Sequence, residues 1–571
     1  MNDAFPVYTT PNECQDCYKC VRHCIPKAIR IVNARAAVIP ELCVSCGQCV
    51  KVCPAHAKKI RSDLARAKFL LGDNAPVYAS VAPSFIGYFK NVTIGQLASA
   101  LRKLGFAGTG ETALGAQLVS ARLGEMLRAM PHGVMLSSAC PAAVEFIAKY
   151  HPEWAAHIAP VDSPVISHTK LLHRLYGDAA KVVFFGPCAA KKVEADHAPK
   201  DLALALTFPT LADWFAEAGI DPAAEPETTL VPEPAEEGRC YSLEGGMNDT
   251  LRNAGDGVRY IAASGLDDIS RLLAGVDPEK CTDGKLFIEL LACPGGCVNG
   301  PAMDAASASN TAVIMRTLAF GGSRSSVGRP VPVDISHGYF RDQPKENAIG
   351  EKELREALAS VGKFSPEDEL NCGGCGYNTC REFAKAKLQG KAEASMCLSY
   401  LRKISQKTSN ALIKYIPAGV VIVDRNLQVL ECNRHFAELC GADTLTAFDA
   451  CGSLSGAFLS TMVEFTDLFD SALSGAGEIV RLNQLYGKKI LNISVFSITP
   501  GQTAGAVIQD VTQSELHREQ VAEKAREVIR KNVLTVQKIA RDLGEHMAAT
   551  EILLDEVAGS YAKPEPPAGE H

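Results

Sequence analysis

The sequence predicts a modular protein of α/β and α+β units, and three observations carry that expectation. Its 571 residues exceed what one hydrophobic core organises, at roughly one domain per 150 residues. Its cysteines fall into spaced groups separated by long stretches that have none of that spacing. Its apolar pattern also changes along the chain, from short runs between amphipathic stretches to longer strand-like alternation and then to a single helical stripe. The expected units are residues 1–65, 75–345, 350–402, 405–512 and 513–571.

Composition narrows the function classes. An apolar content of 47% and a charged content of 22% are those of a chain that folds over most of its length. With 58 Lys and Arg against 65 Asp and Glu the formal charge is −7, and no long basic run supplies a footprint for nucleic acid. The start, MNDAFPVYTT, lacks a basic stretch followed by an apolar one, and no run of about 18 apolar residues occurs. The expectation is a cytoplasmic protein with no membrane or nucleic-acid partner. In a reducing compartment the 21 cysteines read as metal ligands more readily than as disulfides.

In the first unit Cys14, Cys17, Cys20 and Cys24, and then Cys43, Cys46, Cys49 and Cys53, repeat the spacing C-x2-C-x2-C-x3-C. That is the pattern of a two-cluster ferredoxin, in which the fourth cysteine of each run ligates the other cluster. Cys14, Cys17, Cys20 and Cys53 are thus expected on one 4Fe-4S cluster, and Cys43, Cys46, Cys49 and Cys24 on the second. Pro54 follows Cys53 as in the usual motif, whereas Ile25 separates Cys24 from Pro26. Paired cysteines at this spacing also bind zinc, but two tandem runs of four favour clusters.

The second unit alternates apolar runs such as Val182 to Phe185 and Leu286 to Leu291 with amphipathic stretches, as an α/β domain does. Four cysteines stand out: Cys140 in SSACP, Cys188 in FFGPCAAKKVE, and Cys293 and Cys297 in ELLACPGGCVNGP. These motifs, with Ala82-Pro83-Ser84 upstream, resemble the active-site domain of the FeFe hydrogenases over roughly residues 78–320. The resemblance implies a hydrogen cluster: a 4Fe-4S cubane on the four cysteines, bridged through Cys297 to a two-iron subsite carrying carbon monoxide, cyanide and a dithiolate. It also implies that Lys191 donates a hydrogen bond to a cyanide and that Glu194 orients Lys191. Pro294, Gly295 and Gly296 let backbone approach the bulky cofactor.

Departures from the family pattern are equally specific. Ala139 stands where catalytic members have a cysteine that passes protons, and a methyl group cannot carry one. Gly186, before Pro187, and Leu291 replace methionines that pack the subsite, and Val165 replaces a glutamine. A slow or tuned site is the expectation. Residues 222–238, rich in proline and acid, read as an exposed insertion. Cys240 and Cys281 lack ligand-like neighbours and read as buried thiols.

Cys372, Cys375, Cys380 and Cys397 follow as C-x2-C-x4-C-x16-C and resemble the small 4Fe-4S domain of corrinoid proteins and electron-transfer subunits, with a zinc knuckle as the alternative. A helix over 379–389 is expected to close that site. GVVIVDRNLQVLECNRHFAELCG then resembles the start of a PAS domain: a strand, a turn at Asp424-Arg425-Asn426, a second strand and a helix opened by Asn433. Cys432, Cys440, Cys451 and His435 read as packing or surface positions. From 513 to about 560, Val521, Ala525, Val528, Val533, Val536, Ala540, Leu543 and Met547 form a near-heptad stripe. That stripe implies a dimeric coiled coil, or a helix folded back on its own domain.

Taken together the motifs resemble the PAS-containing, sensory branch of the FeFe hydrogenases. The implied reaction is reversible splitting of dihydrogen into protons and electrons, used for hydrogen or redox sensing. Implied partners are a redox protein such as ferredoxin, hydrogenase maturation proteins, a downstream signalling protein and a second copy of the chain. Two rival readings are a bulk metabolic hydrogenase, which Ala139 argues against, and an electron carrier or scaffold without the two-iron subsite.

Overall fold

The computed structural model describes residues 5–73, 75–252, 257–281, 283–303, 310–322, 330–344, 348–475, 477–487, 489–512 and 518–559. It divides into two compact units, Met1–Leu398 and Ser399–His571. Among the described residues no helix is long and apolar enough to cross a membrane.

The first unit begins with two small antiparallel pairs, Val7–Thr9 with Lys58–Ile60 and Ile29–Val32 with Arg35–Val38. Two one-turn helices, Lys19–Arg22 and Gln48–Lys51, carry Cys20 and Cys49. Each follows a left-handed residue, Tyr18 or Gly47, that reverses the chain between the second and third cysteine of its run. Two-residue gaps bent in this way turn successive thiols toward one centre.

Next come two parallel sheets. One orders its strands Gly108–Glu111, Val77–Val81, Lys181–Gly186 and Leu204–Thr207, and the other Val258–Ser264, Lys285–Leu291 and Gly133–Leu136. The central strands are continuous apolar runs buried on both faces, as parallel strands covered by helices are. Phe85, Phe106, Phe185 and Phe208 fill the core beside the first sheet. Parallel strands share one carboxyl end, so the loops that follow them open on the same side. Ala82 to Ser84, Ser138 to Cys140, Pro187 and Cys188, and Ala292 to Cys297 all lie in such loops.

Residues 222–238, expected as an exposed insertion, are instead a strap along the edge strand Gly108–Glu111. Val231 N donates to Thr109 O at 2.9 Å and Ala235 N to Glu111 Oε1 at 2.9 Å. Glu225, Leu230, Ala235 and Glu237 are buried. An unpaired edge strand needs such a cover, and proline supplies it without continuing the sheet. Cys240 is buried as expected, whereas Cys281 is only half-buried and its thiol faces Asp277 O at 3.7 Å.

Residues 348–398 finish this unit. Thr379 caps the helix Cys380–Leu388 by accepting from Glu382 N at 3.0 Å, and Leu354, Ala357 and Leu358 of Glu351–Ala359 bury against Cys380 and Ala384.

The second unit is built on a five-stranded antiparallel sheet ordered Val429–Cys432, Gly419–Asp424, Thr503–Asp510, Lys489–Thr499 and Ile479–Tyr486. Asn433 caps the helix Arg434–Cys440 by accepting from Phe436 N at 2.9 Å, and its amide donates to Ala418 O at 2.7 Å. A long helix, Arg518–Gly559, follows the sheet. Val533 is buried and Val536 packs on the sheet residues Val420, Phe496 and Val507, while Leu543, Met547, Ile552 and Leu554 stay exposed. The N-terminal half of this helix therefore folds back on its own domain and the C-terminal half leaves its apolar stripe uncovered. Residues 513–517 and 560–571 of the expected signalling segment lie outside the described residues.

Candidate metal centre

Four thiols drawn from three loops meet between the two parallel sheets. Cys140, Cys188, Cys293 and Cys297 line one small cavity together with Pro187, Leu291 and Cys46. Cys46 belongs to the first unit's second cysteine run, so that run reaches the same place. Burial pushes the Cys188 thiol up to about 11, with Cys140 adding to it, and pushes Cys46 up to about 12. Thiols so crowded and desolvated accept negative charge only if a cation is bound among them, as a metal cluster supplies.

The other groups sort in the same way. Cys14, Cys17, Cys20 and Cys53 line a second cavity. Cys24, Cys43, Cys46 and Cys49 act on one another electrostatically. Cys372, Cys375 and Cys397 do likewise, while Cys380 opens the neighbouring helix. Among the described residues no three His, Cys, Asp or Glu side chains close on a point as one zinc ion requires.

Backbone amides already point at the sulfurs. Ala28 N lies 3.3 Å from Cys24 Sγ, Ser45 N 3.3 Å from Cys43 Sγ and Ala292 N 3.4 Å from Cys140 Sγ. Gly296, at φ 100°, passes so close to Ser242 O that a Cβ would stand 2.5 Å from it. The turn between Cys293 and Cys297 can therefore be built only with glycine there.

Lys191 and Glu194 share a face of the helix Ala190–His197, one turn apart. Lys191 Nζ lies 2.6 Å from Glu194 Oε2, off the angle of a hydrogen bond, so the buried ammonium keeps donors for another acceptor. It is close enough to act on the charge of both Cys188 and Cys297. Ser84 Oγ is also buried without a hydrogen-bond partner. A buried ammonium with spare donors near Cys188 and Cys297 fits a polar group held among the thiols. Glu194 further lines a cavity of about 560 Å³ with Ser138, Asp162, Tyr339 and His337.

Ala139 packs against the hydrophobic cluster that includes Leu118, Val119, Met135 and Ala159, and its own methyl group cannot carry a proton. At Gly186 the Phe184 ring occupies the place of a side chain, 2.4 Å from an ideal Cβ. Ala82 is buried beside it, and Leu291 and Val165 are buried too. Pro83, Pro294 and Gly295 take their places in the loops that follow Val77–Val81 and Lys285–Leu291.

One residue of this region escapes sequence reasoning. Glu289 sits in the strand Lys285–Leu291 with a buried carboxyl whose Oε2 accepts from Asn248 N at 3.0 Å and whose Oε1 has no hydrogen-bond partner. Burial pushes it up to about 7, and its charge is felt at Cys297. The available signal was a lone acid inside the apolar run Phe287-Ile288-Glu289-Leu290-Leu291.

Comparison with known proteins adds the following. The family model of the iron only hydrogenase large subunit, C-terminal domain, matches residues 75–301. A 4Fe-4S binding domain matches residues 36–59, an Fe-S cluster family 368–399 and a PAS domain 408–476. The chain is 28% identical over 265 residues to the periplasmic Fe hydrogenase large subunit of Nitratidesulfovibrio vulgaris, across 37% of this chain and 62% of that one. It is 25% identical over 307 residues to iron hydrogenase 1 of Clostridium pasteurianum, across 43% of this chain and 52% of that one. The chain thus spans only part of the length of these curated relatives. Among solved structures, an FeFe hydrogenase from Chlamydomonas reinhardtii aligns at 19% identity and a TM-score of 0.40, over 50% of this chain and 100% of that one.

Proposed function

We propose, from the premise that this chain is a relative of the FeFe hydrogenases with an added PAS domain, that it splits dihydrogen reversibly into protons and electrons and uses that reaction to sense hydrogen. The observation that carries the reading is the meeting of Cys140, Cys188, Cys293 and Cys297 in one cavity, with the buried Lys191 ammonium, ion-paired to Glu194, acting on Cys188 and Cys297.

In this reading Cys140, Cys188, Cys293 and Cys297 would hold the cubane, and Cys297 would also serve the two-iron subsite. When bound, that group supplies an iron that polarises dihydrogen and an amine base next to it. Lys191 donates to the subsite's cyanide and Glu194 holds Lys191 in place. Ala139 leaves the usual proton route without a carrier. Glu289 is the buried carboxyl whose protonation changes near neutral pH, as a proton carrier needs. The runs Cys14, Cys17, Cys20, Cys53 and Cys43, Cys46, Cys49, Cys24 hold two further clusters, and Cys372, Cys375, Cys380 and Cys397 hold the last. Cys46, beside Cys140, is where electrons enter or leave the hydrogen site. A ferredoxin-type protein is the electron partner, maturation proteins insert the two-iron subsite, and the PAS domain with the helix Arg518–Gly559 relays the signal in a cytoplasmic homodimer.

Infrared spectroscopy of anaerobically matured protein tests this directly. Bands of metal-bound carbon monoxide and cyanide are expected. Their absence from protein that carries its full iron-sulfur complement would leave an electron carrier.

A further inference from the structure

Residues 371–397 pack on the face of the N-terminal cysteine-rich segment, residues 5–65, that carries Cys24. Ile31 N donates to Lys391 O at 2.9 Å, and the Glu393 carboxylate accepts from Asn33 N at 2.6 Å and Ala34 N at 3.3 Å. Arg22 donates to Cys17 O at 3.1 Å and to Gly374 O at 3.4 Å. Gly376, at φ 94°, brings its backbone so near Val21 that a Cβ would stand 2.9 Å from that side chain. This close approach places the Cys375 loop against the segment from Val21 to Lys27.

Lys27 stands at the middle of the contact. Its ammonium donates to Gly376 O at 2.8 Å and to Val21 O at 3.2 Å, and it lies 5.7 Å from the centre of the Tyr377 ring. The charges that act on it are, in order of strength, those of Cys24, Glu382 and Cys375. Tyr377, buried, has the same two cysteines as its charged neighbours. A half-buried ammonium hydrogen-bonded to backbone carbonyls needs negative charge nearby to offset its desolvation. Thiolates of two clusters would supply it from both directions.

We propose that this contact is an electron junction between the cluster held by Cys24, Cys43, Cys46 and Cys49 and the one held by Cys372, Cys375, Cys380 and Cys397, with Lys27 as its positioning residue. The proposal rests on the reading that both cysteine sets hold 4Fe-4S clusters. One electron crosses, one cluster being oxidised as the other is reduced, and no proton or bond changes hands. Lys27 joins the two loops through Gly376 O and places a fixed positive charge between two sites that each gain negative charge on reduction, which favours reduction of both. The third cysteine group is then a branch that joins the cluster nearest the hydrogen site on its Cys24 side.

The experiment is electron paramagnetic resonance with redox titration on the full, reconstituted chain. In the wild type, reduction of the cluster lost in Cys372→Ala is expected to split or broaden the signal of a ferredoxin cluster. Lys27→Met is expected to keep the iron content, lower the midpoint potentials of the two clusters that flank it and leave the Cys14 cluster unshifted. Lys27→Arg is expected to restore both potentials. Wild-type spectra in which the third cluster couples to no ferredoxin cluster would overturn the junction, without the need for any variant to fold. Unchanged potentials in Lys27→Met would overturn the role of Lys27. A wild type in which Cys372→Ala removes neither iron nor signal would instead refute the cluster reading of that group, and the junction with it.

Discussion

Lys192 donates to Asp63 Oδ2 at 2.8 Å with both side chains almost wholly removed from water, at 1% and 3% exposure. The pair ties the helix Ala190–His197, which carries Lys191 and Glu194, to the segment that leaves the first two cysteine runs. Arg61 and Arg66 also reach the Asp63 carboxylate, and Lys192 donates to Ala205 O at 2.6 Å. Removing one partner of such a pair leaves a buried charge, so Asp63→Asn is expected to cost about 3–5 kcal/mol. Burial alone would raise the Asp63 carboxyl, but Lys192, Arg61 and Arg66 outweigh it and hold the group below the usual carboxylate range. A carboxyl lowered in the folded state stabilises above its unfolded pKa, and that contribution fades as pH falls through the folded value. Thermal melts between neutral and acidic pH should show this acid loss in the wild type and a flatter profile in Asp63→Asn.

Iron analysis checks the ligand sets. Four cubanes and a two-iron subsite amount to about 18 irons per chain. Cys297→Ala should abolish the infrared bands of the subsite, and Cys372→Ala should leave them while lowering the iron content by one cluster. Fully occupied protein with about 12 irons or fewer would reject at least one set.

Ala139 sets a kinetic expectation. A positioned acid-base group contributes about 100-fold to 10,000-fold to a rate, so its loss should make hydrogen turnover slow on that scale. Ala139→Cys should raise activity in part only, because Gly186, with Phe184 filling its side-chain space, cannot take the family's methionine without repacking. Turnover as fast as that of metabolic hydrogenases in the native protein would remove the argument.

Glu289 gives a pH test. Its carboxyl, raised to about 7 by burial, holds a proton below that pH and is ionised above it. The isosteric Glu289→Gln keeps the hydrogen-bonding shape but exchanges no proton. A fall in rate of about 100-fold or more is expected, together with loss of the wild-type rate change near neutral pH. An unaltered pH profile in Glu289→Gln would place the proton route elsewhere.

The helix Arg518–Gly559 sorts its apolar residues by partner. Val533 and Val536 are covered within their own domain, whereas the exposed stripe that includes Leu543, Met547 and Leu554 is the surface offered to a second copy. Light scattering should give twice the chain mass of 60.9 kDa for the full protein. Met547→Glu with Leu554→Glu should shift it to monomer with the domain intact. A monomeric wild type at micromolar concentration would show that the stripe serves another purpose.

The local devices of this chain were legible before any fold was known. Ligand runs with two-residue gaps, the Pro-Gly-Gly turn before Cys297, the turn at Asp424-Arg425-Asn426 and the helix opened by Asn433 depend on interactions within a few residues, which is the range over which spacing and turn chemistry act. The relations between distant segments were not. No spacing announces that Cys46 lines the cavity of Cys140, that Lys27 lies between Cys24 and Cys375, or that Phe184 fills the place beside Gly186. The acidic, proline-rich residues 222–238 look like a solvated loop until an edge strand is found beneath them. Glu289 looks like an interruption of an apolar strand until its buried carboxyl is seen to sense Cys297. Desolvation and electrostatic coupling act through space, so they are set by which surfaces the parallel sheets and the small cysteine domain bring together, and composition and periodicity along the chain carry no record of that.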